Sequence, residues 1–307
     1  MKTKLLAVFQ KKPTDGVDNL YPTSIDCWKQ PSLHLLCGQR TAGKSYLASQ
    51  ILAQCAVDKT FDIYYFITPS FCSNQAYFGS YCLPENIYEP TKCSISDVIK
   101  RVEKDRDEWE QFLKQKKQYE KFKKTMQNEV PLSDEAVLFF HEMGWLDHKQ
   151  PKWKYEFEVP PKSCLILDDC LSSPAILQSS GLTRIATLNR HIAPLETPHS
   201  NRSACGLAVI ILSQTYKMQG GLGRCLRENL SVLTLFKNRQ QKQIDAIKDE
   251  LANVIDIELF DRAYEHATNE KYGNLTIDFT PKCNTKVFRK NLREIILFDE
   301  LSCDCHK

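Results

Sequence analysis

The chain has no hydrophobic run approaching the roughly 20 apolar residues that a helix needs to cross a bilayer. No internal repeat is apparent, and the apolar stretch of the basic N-terminus is too short for a signal-peptide core. The net charge over 307 residues is only +3. This charge neither requires nor excludes a nucleic-acid partner, because a local basic stripe is sufficient. These features favour an intracellular globular protein without a membrane segment.

Disulfide and zinc frameworks are also not expected. The 13 cysteines are an odd number scattered along the whole chain, which favours reduced thiols. Cys303, Cys305 and His306 lie together near the C-terminus, but they lack a second ligand pair at a zinc-binding spacing.

Short apolar runs alternate with helical patterns along most of the chain. This alternation predicts an α/β fold with a mainly parallel, doubly wound sheet flanked by helices. The five core strands are expected at 33–37, 63–67, 164–167, 207–212 and 232–236. The helical patterns lie at 44–56, 181–191, 240–252 and 256–266. A late strand is expected at 275–279, followed by a turn at 281–284 that leads into 287–288.

Two stretches depart from this alternation. Residues 71–160 predict a helical insertion, whose main element is a long charged helix over 95–126 with Ser94 as its N-cap. Its apolar residues follow a spacing near seven, but Lys116 and Lys123 interrupt the stripe, so a coiled coil is not expected. The basic end, 114–124, is interpreted as a solvated face, with a DNA contact as the alternative. Residues 193–206 are interpreted as a loop.

A phosphate-binding motif occupies residues 38–45, which match G-x-x-x-x-G-K-[ST] without a mismatch. Glycines let the backbone fold closely around phosphate oxygens, and the N-terminus of the following helix adds positive potential. The lysine can reach the β- and γ-phosphates, and the serine hydroxyl can ligate Mg²⁺. A strand before the motif and a helix after it fit this mechanism. The predicted ATP-binding residues are Gly38, Gln39, Arg40, Thr41, Ala42, Gly43, Lys44 and Ser45.

Two carboxylates follow another predicted strand. Asp168 and Asp169 end the apolar run that begins at Leu165, and the carboxyl ends of parallel strands line the ligand crevice. Asp168 is predicted to hold Mg²⁺ together with Ser45. Asp169 is predicted to orient or deprotonate the attacking water, with a helix N-cap as the alternative.

Three further side chains are candidates for the hydrolysis step. Gln214 follows the strand over 207–212 and could contact the γ-phosphate or the attacking water, with a turn residue as the alternative. Arg227 is the first candidate for an arginine acting on a neighbouring subunit's nucleotide, and Arg224 is the second. An ordinary surface or ion-paired arginine is the alternative for each.

The order of these pieces resembles the FtsK–HerA superfamily, and within it the poxvirus-type DNA-packaging ATPases of large DNA viruses, virophages and polinton-like elements. Four stretches carry the resemblance, namely 38–45, 165–169, 189–191 and the run from 209 to 229. These stretches cover the core from about 33 to 250, and the resemblance implies a RecA/FtsK-like P-loop ATPase domain. We expect the domain to span 33–300, between a leader at 1–32 and a tail at 301–307. There are three departures: the stretch 193–206 follows Arg190 and His191, aspartate stands at 169 where many P-loop motors have glutamate, and the insertion at 71–160 matches no motif of the family.

The same resemblance implies an ATP-hydrolysing, ring-shaped homo-oligomer that would pump double-stranded DNA into a preformed viral capsid. Its implied partners are DNA and capsid or vertex proteins. Its implied location is the host cytoplasm or nucleus at sites of virion assembly, or the virion itself.

Two other functions remain open from the residues. A helicase or AAA+-type replication ATPase would share the phosphate motif and the acidic pair, and a helical lid after the last core strand would favour it. A non-enzymatic, nucleotide-gated assembly protein is disfavoured by the intact Lys44, Ser45, Asp168 and Asp169. A GTPase is not expected, since the chain has no N-K-x-D guanine-binding motif. A small-molecule kinase would need a basic lid that the sequence does not identify.

Overall fold

The computed structural model describes residues 2–5, 29–128, 131–147, 149–217, 223–280 and 287–298. The predicted turn at 281–284 and the C-terminal cysteines and histidine lie outside these ranges, as does most of the predicted leader. The described strands are β1 Lys2–Leu5, β2 Leu33–Cys37, β3 Ile63–Ile67, β4 Ile87–Tyr88, β5 Ser163–Asp168, β6 Pro194–His199, β7 Arg202–Ala204, β8 Leu207–Ser213, β9 Val232–Phe236, β10 Asn274–Asp278, β11 Phe288–Lys290 and β12 Glu294–Leu297. The described helices are α1 Lys44–Val57, α2 Phe71–Phe78, α3 Ser94–Gln127, α4 Asp134–Glu142, α5 Pro174–Leu177, α6 Ser180–Leu188, α7 Arg224–Glu228, α8 Gln241–Leu251 and α9 Ile257–Ala267.

A single ten-stranded sheet organises the chain, in the order β1-β12-β11-β10-β9-β2-β8-β5-β3-β4. The six strands from β9 to β4 are all parallel to one another. The four strands from β10 to β1 continue the sheet with antiparallel pairing. The predicted mainly parallel sheet is therefore confirmed, and the late strand adds an antiparallel extension. Because β1 pairs with β12, the first residues of the predicted leader belong to the sheet.

Helices cover both faces of the parallel strands, as the unbroken apolar runs predict. Side chains alternate between the faces along each strand. In β5, Leu165 and Leu167 pack in the core that α3, α6, α8 and α9 cover, whereas Cys164 and Ile166 pack in the core beneath α1 and α2. All six residues of β5 are buried. This three-layer packing fixes the carboxyl ends of the strands, where the predicted site lies.

The insertion is less purely helical than expected. The long helix is confirmed, but its N-cap is Cys93 rather than Ser94. The Ser94 hydroxyl instead donates to the Glu89 carbonyl and accepts the Thr91 amide. Residues before the helix form β4, which pairs with β3 and becomes the sixth parallel strand. Part of the insertion therefore extends the central sheet.

The distal half of α3 has its own small aromatic core, separate from the cores of the sheet. Tyr119 and Phe122 of α3 and Trp145 after α4 are buried in it. The rings of Phe122 and Phe140 lie 4.5 Å apart, and those of Tyr119 and Trp145 lie 5.6 Å apart. We call this cluster the aromatic brace, because it supports α3 where the helix has left the sheet.

The predicted loop at 193–206 is instead a two-stranded antiparallel hairpin, β6–β7. Arg202 of β7 is buried and donates to the carbonyls of Pro160, Pro161 and Cys205. The hairpin could not be predicted from the sequence, because its proline, serine and glycine residues leave no alternation of apolar and polar residues.

The cysteines of the described residues form no disulfide bond with one another. Among the described helices, none combines the length and the hydropathy that crossing a bilayer would require.

Candidate active site

The predicted phosphate loop connects the end of β2 to the start of α1. Gly43 has a φ of 106°, a left-handed conformation that glycine adopts without strain. A Cβ at Gly38 would lie 2.7 Å from the Cβ of Phe236, so the loop passes too close to β9 for a larger residue. Both glycines of the motif are therefore required by the backbone path. The loop amides and the N-terminus of α1 form the concave, positively polarised surface that phosphate groups bind.

The Lys44 ammonium lies inside this loop. It is buried and donates to the Gly38 carbonyl at 2.7 Å and to the Gln39 carbonyl at 3.1 Å. Burial lowers the pKa of Lys44, while the nearby negative charges of Asp169 and Asp168 raise it. Lys44 and the acidic pair are therefore within electrostatic reach of each other, as the predicted site requires.

The strand β8 brings the phosphate loop and the acidic pair together, because it lies between β2 and β5. The Gly38 amide donates to the Ser213 carbonyl at 3.1 Å. On the other side of β8, the Asp169 amide donates to the Leu212 carbonyl at 3.3 Å. The carboxyl end of β8 therefore fixes the position of the phosphate loop relative to the acidic pair.

Asp168 is the buried member of the acidic pair. Burial, and next the charge of Asp169, raise its pKa to about 6, although Thr68 and Lys44 act in the opposite direction. Its Oδ2 accepts from the Thr68 hydroxyl at 3.4 Å and from the side-chain amide of Asn74. Neutral donors orient this carboxylate without neutralising it, so its charge is available to a cation.

Asp169 is exposed and has a φ of 49°, in the left-handed region that aspartate tolerates better than most residues. Its Oδ2 accepts from the Gln214 side-chain amide at 3.1 Å. The alternative role of Asp169 as a helix N-cap is not supported, because its side chain makes no capping bond to the short 3₁₀ turn that follows. Asp169 and Gln214 instead form a polar pair facing outward beside the loop.

The donors at this site fit a magnesium ion. Ser45 lies in the first turn of α1 and is half-buried, and Asp168 supplies an oriented carboxylate. Mg²⁺ commonly binds through one or two protein oxygens together with substrate phosphates and water. A group of three or more acidic, histidine or cysteine ligands is absent from the described residues, and Mg²⁺ bound with a nucleotide does not need one.

The two candidate arginines have different environments. Arg227 is only 13% exposed and makes a two-pronged ion pair with Glu250. Its guanidinium also lies over the ring of Tyr216. Arg224 is 84% exposed, and among the described residues its ion pair is with Glu228, one turn along its own helix. Arg227 is therefore held within its own chain, whereas the Arg224 side chain projects from the surface.

Two residues that contact Asp168 were missed from the sequence. Thr68 follows β3, and its position after a core strand is the signal that could have identified it. Asn74 lies in α2, inside the segment interpreted as an insertion without a matched motif. No local pattern marks it, because its contact with Asp168 joins residues 94 positions apart.

A cavity of about 690 Å³ adjoins the outer side of the phosphate loop. Its lining is basic and contains no acidic residue: Gln39, Arg40, Thr41, Ala42, Lys237, Arg239, Lys271, Tyr272 and Gly273. Tyr272 has a φ of 68° and is 56% exposed. A Cβ at Gly43 would lie 3.4 Å from the Tyr272 ring. An aromatic face and several cations therefore flank the loop.

No protein-family model matches the chain, and no curated protein matches it. It is similar to the solved structure of the genome packaging NTPase B204 from Sulfolobus turreted icosahedral virus 2, with 17% identity over 87% of this chain and 98% of that one, at a TM-score of 0.41. It is also similar to the cytoplasmic domain of the type VII secretion ATPase EccC from Thermomonospora curvata, with 12% identity over 91% of this chain and 27% of that one, at a TM-score of 0.42. The conjugation coupling protein TcpA of pCW3 matches with 14% identity over 70% of this chain and 51% of that one, at a TM-score of 0.39.

Proposed function

We propose that this protein is an ATP-hydrolysing motor that moves double-stranded DNA into a viral capsid. The observation that carries the ATPase part is the joining of the phosphate loop and the acidic pair through the end of β8. The four stretches that resemble packaging ATPases support the DNA-moving part. The ATPase part and the DNA-moving part are tested by separate experiments.

The chain's residues divide the hydrolysis reaction among them. The loop amides and Lys44 bind the β- and γ-phosphates, and charge that develops on the transferred phosphoryl group is stabilised by the same ammonium. Mg²⁺ held by Ser45 and Asp168 would supply further charge neutralisation. Asp169 accepts a proton from the attacking water or orients it, and Gln214 fixes the direction of the Asp169 carboxylate.

The nucleoside half of ATP is assigned to the basic cavity beside the loop. Tyr272 offers an exposed aromatic face there, and bases stack on such faces with about 1–3 kcal/mol per base. Lys271 lies 5.0 Å from the centre of this ring. The open cavity and the outward-facing Asp169–Gln214 pair both fit a site that a neighbouring subunit completes.

Arg224 is proposed as the residue that a neighbouring subunit contributes, and Arg227 is the alternative. Subunits with Arg224→Ala, mixed with Lys44→Ala subunits, should recover part of the lost ATP turnover. The recovery comes from interfaces in which the Arg224→Ala subunit supplies the loop and the Lys44→Ala subunit supplies the arginine, because both groups are then intact. The same mixture with Arg227→Ala measures the other candidate. Mixed rings without any recovery for Arg224→Ala would remove it from this role.

The DNA-moving part is tested by ATP turnover with duplex DNA, with single strands and without DNA, each at two salt concentrations. A packaging motor should be stimulated by duplex DNA, and the stimulation should weaken with salt because phosphate contacts release counterions. Stimulation by single strands alone would instead favour the helicase alternative. Unaltered turnover in every condition would contradict DNA translocation and leave the ATPase assignment standing.

One structural observation disfavours the AAA+ alternative. After β9, helices α8 and α9 pack back onto the sheet through Ile244, Ile247 and Phe260. The chain then returns to the sheet as β10, which pairs with β9. A separate helical lid is not formed by the described residues that follow the last parallel strand.

A further inference from the structure

The charged side chains of the distal half of α3 are nearly all positive. Residues 111–127 contain six lysines and a single acidic residue, Glu120. The proximal half of the helix is different, since its charged residues form ion pairs such as Arg184–Glu103 and Lys154–Asp105. Positive charge therefore accumulates only where the helix has left the sheet.

Three of these lysines share one face of the helix. Lys117, Lys121 and Lys124 follow the i, i+4, i+7 spacing, and at about 100° per residue they fall within an arc of roughly 60°. All three are exposed. We call them the lysine face. It spans about 10 Å along the helix axis.

Two neighbouring lysines form ion pairs, whereas in the described part of the chain the lysines of the lysine face do not. Lys114 pairs with Glu196, and Lys116 pairs with Glu158. Within the described ranges, Lys117, Lys121 and Lys124 have no acidic partner at ion-pair distance. Glu120 lies three residues after Lys117 and four before Lys124, so it offsets one of the three charges in part. The remaining positive charges repel one another, so a strong anionic partner would relieve that repulsion.

The aromatic brace orients the lysine face outward. Tyr119 and Phe122 are packed in the brace, and their directions lie roughly 160° around the helix from the centre of the lysine face. The brace is a hydrophobic cluster separate from the two sheet cores, and Trp145 is almost completely buried within it. A helix end that is held stiff presents its charges with less loss of side-chain and backbone freedom on binding.

We propose that the lysine face binds the phosphate backbone of double-stranded DNA, so that the insertion forms a sequence-independent DNA contact. This inference rests on the proposed function. A row of lysines on a rigid helix matches a polyanion with about one charge per 1.7 Å of duplex axis. The contact resembles point-charge neutralisation rather than base recognition, because the face holds no aromatic or amide side chain between its three lysines.

The test compares two triple variants of the full chain. Lys117→Gln, Lys121→Gln and Lys124→Gln together remove the lysine face. Lys92→Gln, Lys123→Gln and Lys152→Gln remove the same charge from exposed lysines outside it. Lys123 is a close match, since it lies on the same helix and faces roughly 130° away. Duplex binding is measured by fluorescence anisotropy across a salt series, together with ATP turnover with and without duplex.

The lysine-face variant should bind duplex more weakly, and the slope of log affinity against log salt should fall by about 2 to 3, at about 0.9 per lost phosphate contact. DNA-stimulated turnover should fall, and turnover without DNA should be unchanged. The control variant should keep the salt slope of the parent. Equal losses in both variants would show a general charge effect and overturn the inference, as would an unchanged slope in the lysine-face variant. If the parent itself neither binds duplex nor responds to it, the proposed motor function fails as well.

Discussion

The loop over 38–45 and the long helix α3 place their functional side chains by different means. In the loop, the phosphate chemistry fixes residue types at fixed spacing, and the backbone path leaves room only for glycine at Gly38. In α3, the spacing of apolar residues fixes only which face is buried. A ligand site can therefore be predicted from a sequence motif where the backbone itself binds the ligand. The binding face of a helix can be identified only once the structure shows which of its faces is buried.

The largest effect should come from the loop. Lys44→Ala should reduce ATP turnover by on the order of 1,000-fold, because it removes a donor that stabilises charge on the transferred phosphoryl group. Steady-state phosphate release measures it. Lys117→Ala is the control, since it removes an ammonium from the insertion and should leave turnover without DNA unchanged. Comparable losses of ATP turnover from both variants would contradict the assignment of catalysis to the phosphate loop rather than to the insertion.

The next effect concerns the exposed acid. Asp169→Asn should keep nucleotide binding and lower hydrolysis by about 100-fold, since the amide cannot accept the proton of the attacking water. Binding of a labelled nucleotide and single-turnover hydrolysis separate the two steps. Gln214→Ala should give a smaller loss, because it only orients Asp169. Normal hydrolysis by Asp169→Asn would remove this residue from the reaction.

A pH dependence should follow from Asp168. Burial raises its pKa to about 6 in the metal-free protein, and Mg²⁺ binds the ionised carboxylate. Protons therefore compete with the metal, and the affinity for Mg²⁺ should fall about tenfold for each pH unit below 6. Calorimetric titration from pH 5 to 7.5 measures the affinity for Mg²⁺, and Asp168→Asn should flatten its dependence on pH.

The same carboxyl group also affects folding stability. The folded state holds its proton more tightly than the unfolded state, so the contribution of Asp168 to stability decreases as the pH rises from about 4 to about 6.

The smallest effect lies where the insertion meets the site. Asn74→Ala should weaken Mg²⁺·nucleotide binding by about tenfold, because it removes a donor that orients the Asp168 carboxylate. The neighbouring Gln75→Ala is the matched control on the same helix and should have no effect. If both variants behave like the parent, α2 belongs wholly to the insertion and contributes nothing to the site.

The sequence by itself determined the phosphate loop, the acidic pair and the alternation of strands and helices. These features are local, since each depends on residues that are close along the chain. The long helix was likewise determined by its apolar spacing, apart from its first residue. The predicted domain boundaries and the roles of the individual site residues stay predictions.

Only the tertiary structure decided which distant groups meet. The order of strands placed β8 between the loop and the acids, and it brought Asn74 to Asp168 across 94 positions. The bonds from Arg202 of the hairpin to the carbonyls of Pro160 and Pro161, and the pairing of Arg227 with Glu250, likewise join separate segments. The physical reason is that such contacts draw their energy from packing and desolvation in three dimensions, and neither leaves a periodic signal in a single sequence.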